Sequence, residues 1–175
     1  RAGKAKAASE GLRVRVGRWN VPGKPTAILV DFKQFLISQN EILTEFWKKF
    51  GVDSLTGNWD YRESALFGYA AGRVIESFYR FNLESSDKVV AQFHEWMTGT
   101  GLLYLKSANV PVATVFTTHA TVIGRCIAGN NLPLYDGLNG YNSDEMARRF
   151  NVVARHSLEK KAAENSDIFT TVSDI

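Results

Sequence analysis

A chain of 175 residues is long enough for one domain with a buried core, and 45% hydrophobic with 22% charged residues is the balance of a globular protein. The formal net charge of +3 is too small to argue for a nucleic-acid partner. A single cysteine, Cys126, excludes an internal disulfide and fits a reducing cytosol, hence a cytoplasmic protein. No signal-peptide pattern is present, and no run approaches the roughly 20 apolar residues of a membrane span.

Much of the positive charge sits at the start, where Arg1, Lys4, Lys6, Arg13, Arg15 and Arg18 face only Glu10, so residues 1–11 read as a basic flexible arm. "LRVRV" (12–16) alternates with period two, and "TAILVDF" (26–32) is a continuous apolar run, the pattern of a strand covered on both faces. "NEILTEFWKKFG" (40–51) places Ile42, Leu43, Phe46, Trp47 and Phe50 at helical spacing with Gly51 as the stop. A long amphipathic helix follows over 61–81, with Leu66, Tyr69, Ala70, Val74 and Phe78 on one face. Next come a strand at 88–94, a helix at 96–108 weakened by two glycines, and the β-branched strand "VATVFTTH" (112–119). One capped helix over 143–165 and a last strand "DIFTTV" (167–172) complete the order. Strands separated by helices of this length specify an α/β fold, Rossmann-like, with a mostly parallel sheet and helices on both faces. The whole of 1–175 reads as a single α/β domain. The absence of an initial methionine and the ending just after a strand suggest a piece of a longer protein.

In open parallel sheets, ligands bind in the crevice beyond the carboxyl ends of the strands. His94 and Glu95 follow one strand and His119 follows another, so two of the three histidines fall where a ligand would sit. His156 lies mid-helix beside Arg155 and reads as structural or solvated. Arg125, shortly after the second strand, is placed for a fork of donors to meet a phosphate or a sugar hydroxyl. Trp96 reads as core or cleft wall. No histidine pair stands at i, i+4 and no CxxC occurs, so no metal is expected. "GTGLL" (99–103) is half of a dinucleotide fingerprint, but it lies inside a helical pattern, and no glycine-rich phosphate loop or other cofactor motif is present. These residues suit hydrogen-bonding recognition of a polyhydroxyl ligand, and they stop short of a reaction.

"FHEWMTG" (93–99), "FTTHATVIGR" (116–125), "RF" (149–150) and "SDIFTTVS" (166–173) together resemble the glycogen synthase family, in its eukaryotic-type branch also found in bacteria. The match continues more weakly upstream through "GRW" (17–19), residues 25–31 and "LFGY" (66–69), while 129–144 departs from the family pattern. The resemblance implies part of the N-terminal, acceptor-side domain of a two-Rossmann-domain (GT-B type) glycosyltransferase, with the C-terminal nucleotide-binding domain outside this chain. It implies retaining transfer of glucose from a nucleotide sugar, UDP-glucose favoured, to the non-reducing 4-hydroxyl of an α-1,4-glucan, with no cofactor. By the same resemblance His119 lies against the transferred glucose, with Thr118 beside it in the motif. Glu95, His94 and Trp96 face the acceptor, and Arg125 reaches toward the donor phosphate or sugar. The donor loop and the acidic pair of such enzymes have no counterpart here, so these residues alone should be inert. Two other readings stay open: a non-catalytic carbohydrate-binding or interaction module, and a sucrose- or trehalose-type nucleotide-sugar transferase. Homo-oligomerisation is left open too.

Overall fold

Residues 2–172 are described by the computed structural model, and they begin with a helix where charge alone suggests an arm. Ala2–Ser9 (α1) buries Ala7 against Leu12 and Val74, and Lys6 pairs with Glu10 at 2.9 Å. Its alanines supply the helix propensity that the charge count overlooks.

Arg13–Arg18 (β1) and Thr26–Asp31 (β2) pair antiparallel in register from Arg13↔Asp31 to Arg18↔Thr26, forming a two-stranded sheet of their own. β2 is therefore not a strand covered on both faces: Leu29 is 67% exposed, and its apolar run reflects β-propensity rather than burial. Gln39–Phe50 (α2) ends at Gly51, whose φ of +71° places it in the left-handed region that a residue without Cβ adopts freely. Trp59–Asn82 (α3) starts at Asn58, whose side chain accepts the Tyr61 N–H at 3.1 Å.

The second sheet positions the site. Val90–His94 (β3), Ala113–Thr118 (β4) and Ile168–Thr171 (β5) run parallel in the order β3-β4-β5, with His94 opposite Thr117 and Thr118 opposite Thr171. Between β3 and β4 the chain forms Gly99–Ser107 (α4), and after β4 it forms Val122–Gly129 (α5), Ser143–Arg149 (α6) and Val153–Asn165 (α7). One core joins Phe46 of α2, Leu66 of α3, Phe93 of β3, Leu102 and Leu105 of α4, Phe116 of β4 and Leu158 of α7.

The glycines of "GTGLL" serve packing, not a phosphate. A Cβ on Gly101 would stand 2.6 Å from the Gly68 carbonyl oxygen, and one on Gly72 would stand 2.8 Å from that of Gly101. α3 and α4 thus meet backbone to backbone, an approach that only residues without side chains permit. The continuous helix expected over 143–165 is instead two helices. Asn151 turns left-handed at φ +55°, and the Val152 N–H reaches back to the Ala147 carbonyl at 2.9 Å, ending α6 before α7 begins.

Candidate functional site

β3 and β4 are neighbours in one parallel sheet, so both end at the same edge, and their terminal histidines meet there. His94 Nδ1 and His119 Nε2 are 3.1 Å apart, with ring centroids at 5.3 Å. One nitrogen donates and the other accepts, which leaves His94 Nε2 and His119 Nδ1 with no partner among the described residues. Both side chains are exposed at the edge where the fold rule places ligands.

The turn that carries His94 is held in an unusual backbone conformation. Glu95 has φ +62° and ψ 165°, a region non-glycine residues enter at a cost of about 1–3 kcal/mol. Four groups fix it there. The Glu95 N–H donates to the Thr117 carbonyl at 2.9 Å, and its own carbonyl accepts the Thr98 N–H at 3.2 Å. Its Oε1 accepts the His119 N–H at 2.7 Å, and Thr98 Oγ1 donates to the His94 carbonyl at 2.7 Å. The carboxylate that follows one histidine thus holds the backbone of the other, so Glu95 works as a brace between the two strand ends.

Glu159, on α7, lies beneath this turn and was not singled out in the sequence. It is 6% exposed, and its Oε2 accepts the N–H of Val122, the first residue of α5, at 2.9 Å. Burial, reinforced by the charge of Glu95, pushes its carboxyl up to about 7, against the opposing pull of the Val122 N–H and Arg125. The Thr118 hydroxyl beside it also eases the ionised form. Yet neither Thr118 Oγ1 nor Glu159 Oε1 closes a hydrogen bond of ordinary geometry. The one signal for Glu159 in the sequence is its place within the buried stripe of Ala154, Leu158 and Ala162 on α7.

The remaining candidates divide. Thr118 is buried, with its hydroxyl turned to the Glu159 side of the turn rather than presented at the surface. Arg125 lies on α5, a helix the sequence pattern did not resolve; Thr121 caps that helix by accepting the Gly124 N–H at 3.0 Å. Arg125 Nε donates to the Ala120 carbonyl at 3.3 Å, and its Nη groups have no partner among the described residues. Trp96 stacks on Tyr61 at 6.0 Å and 9°, with the Arg155 guanidinium 5.3 Å from its ring, so its indole is built into the core margin. His156 is buried with Nε2 3.2 Å from Asp144 Oδ1, tying α7 to α6; burial lowers its pKa although Asp144 opposes the shift. No group of three metal-ligating side chains converges among the described residues, and no helix among them is long and apolar enough to cross a membrane.

A parallel sheet flanked by helices, with paired imidazoles, a bracing carboxylate and an exposed guanidinium at its carboxyl edge, is a Rossmann-like α/β arrangement. Residues 2–175 match the family model described as glycogen synthase, and the chain belongs to that family, whose members have the GT-B glycosyltransferase fold. It is 36% identical over 165 residues, 94% of its length, to a glycogen (starch) synthase of Dictyostelium discoideum. Against glycogen (starch) synthase isoform 2 of Saccharomyces cerevisiae it is 33% identical over 95% of its length, and against the liver enzyme of Rattus norvegicus 31% over 94%. The chain spans 18%, 24% and 23% of those three relatives.

Proposed function

We propose that the protein carrying this chain transfers glucose from a nucleotide sugar, UDP-glucose in preference to ADP-glucose, to the non-reducing 4-hydroxyl of an α-1,4-glucan with retention at the anomeric carbon. The observation that supports it is the His94–His119 pair at the carboxyl edge of the parallel sheet, within a chain that matches the glycogen synthase family along its described length. His119 offers Nδ1 to the hydroxyls of the transferred glucose, while Glu95 and His94 border the acceptor. Glu95 meets the glucan only if its second carboxylate oxygen turns outward, since Oε1 is engaged with the His119 N–H. Arg125 directs its Nη donors toward the donor phosphate. Thr118 contributes through the floor of the turn and Trp96 through the wall of the cleft. Orientation of the sugar and stabilisation of developing charge by fixed donors supply the rate enhancement these residues can give. The nucleotide is held by a second domain, so residues 1–175 alone are inactive. The protein is cytoplasmic, where both substrates would be found.

The test is extension of a maltooligosaccharide by the full-length protein, followed by proton NMR of the product. A new α-1,4 anomeric signal is expected. A β signal, or no product from either nucleotide sugar, refutes the reading.

A further inference from the structure

Among the described residues Glu159 is the one acidic side chain in the buried core, and its position raises a physical question. α5 already has Thr121 as its N-cap, so a second acceptor delivered from another helix is not needed to start it. A buried carboxylate with one oxygen unpaired is also a poor stabiliser, because desolvation offsets most of what a single hydrogen bond returns. What Glu159 does contribute is geometric. Its Oε2 holds the Val122 N–H at 2.9 Å, while Glu95 Oε1 holds the His119 N–H at 2.7 Å. The turn 119–122 is therefore gripped at both ends by carboxylates reaching it from different elements, the end of β3 and the middle of α7.

We infer that Glu159 is a positioning residue of the strand-end site: together with Glu95 it clamps the turn that presents the His119 imidazole and begins the helix carrying Arg125. Loss of the grip at Val122 lets the turn relax, and the His119 imidazole it presents moves with it, although His119 itself is unchanged in sequence. The rate readout rests on the glucosyl-transfer reading above; the exchange readout below does not.

Two variants of the full-length protein separate geometry from charge. Glu159→Gln keeps a carbonyl oxygen for the Val122 N–H and gives Thr118 Oγ1 a donor, so kcat should stay within about threefold of wild type. Glu159→Met keeps length and packing but offers no acceptor. Its kcat should fall at least tenfold, with KM for donor and glucan changed less than threefold and the melting temperature held or raised. If Glu159→Met does not fold, Glu159→Asp, whose carboxylate is withdrawn by one methylene, is read in its place with the same expectation. Wild-type kcat per folded molecule in Glu159→Met or Glu159→Asp overturns the inference. A loss in Glu159→Gln equal to that in Glu159→Met also overturns it, because the charge and not the held amide would then matter. Exchange of the Val122 amide, followed by NMR, reads the clamp without any turnover. It should be at least tenfold faster in Glu159→Met or Glu159→Asp than in wild type or Glu159→Gln, and equal rates in all of them overturn the proposal. A wild-type protein that transfers no glucose refutes the glucosyl-transfer reading and leaves this exchange test standing.

Discussion

Replacing His119 by alanine separates a sugar-contacting imidazole from a merely structural one. In the fold the His119 ring makes one side-chain hydrogen bond, to His94 at 3.1 Å, and the side chain is exposed. The bond that anchors its backbone, from the His119 N–H to Glu95, survives in alanine. Loss of one exposed side-chain bond destabilises by on the order of 1 kcal/mol, which in a domain of this size lowers Tm by about 2–4 °C. An orienting contact to the transferred glucose is worth more, on the order of 3 kcal/mol in the transition state, or about a hundredfold in rate. The assay is initial velocity of the full-length His119→Ala enzyme with labelled UDP-glucose and glycogen, corrected for the folded fraction, beside its melting curve. The expected result is a rate near one hundredth of wild type with a small change in melting. His119→Asn, which keeps a donor and an acceptor at shorter reach, should fall between the two. A variant that melts several degrees lower yet turns over normally per folded molecule refutes the role.

Three further outcomes follow from the buried and packed groups. Glu159 is held neutral by the fold up to about pH 7, whereas an unfolded chain ionises it near the ordinary value of 4.5. Its contribution is thus fully present below pH 4.5 and is lost as the pH rises to 7, by about 3 kcal/mol in all. Glu159→Gln should therefore gain stability over wild type between pH 5 and pH 8 in scanning calorimetry, and a gap that does not change with pH contradicts the assignment. Asp167 pairs with Lys106 at 2.7 Å and accepts the Thr114 N–H at 2.7 Å, contacts that hold its carboxyl down at about 2. Asp167→Ala should destabilise by about 1–2 kcal/mol at pH 7, a modest figure because solvent screens this half-exposed pair, and the difference should shrink as the pH falls from 4 toward 2, where first the unfolded and then the folded carboxylate takes up its proton; melting curves at pH 7 and pH 3 check both. Gly101→Ala places a methyl 2.6 Å from the Gly68 carbonyl and forces α3 and α4 apart, which should cost about 2–3 kcal/mol; a melting temperature equal to wild type would show that the helices separate freely.

β3 and β4 were legible for different reasons, β3 because it buries every second residue and β4 because it is a run rich in β-branched residues, and both fall where the pattern places them. From strand order alone, the meeting of His94 and His119 at one edge follows. β2 misled because a continuous apolar run cannot tell a covered strand from one in a two-stranded ribbon. α5 went unseen because it is only eight residues long, Gly124 sits in its first turn, and Val122, Ile123 and Ile127 are β-branched residues that read as strand continuation. The break between α6 and α7 rests on one left-handed asparagine, which pattern-reading absorbs into a helix. Charge counting made residues 1–11 an arm because it ignored four alanines within α1. Glu159 was hidden for a different reason. An acidic residue in a helix rich in lysine and glutamate reads as solvated until the fold shows which side of α7 faces the sheet.

A structure of the full-length protein with an unreactive UDP-glucose analogue, such as the 2-deoxy-2-fluoro sugar, tests most directly the claim that this strand edge handles the transferred glucose. A glucose hydroxyl is expected within about 3.2 Å of the His119 ring, and the donor phosphate within reach of Arg125. A donor bound in the full-length protein with its glucose remote from the His94–His119 edge would contradict it.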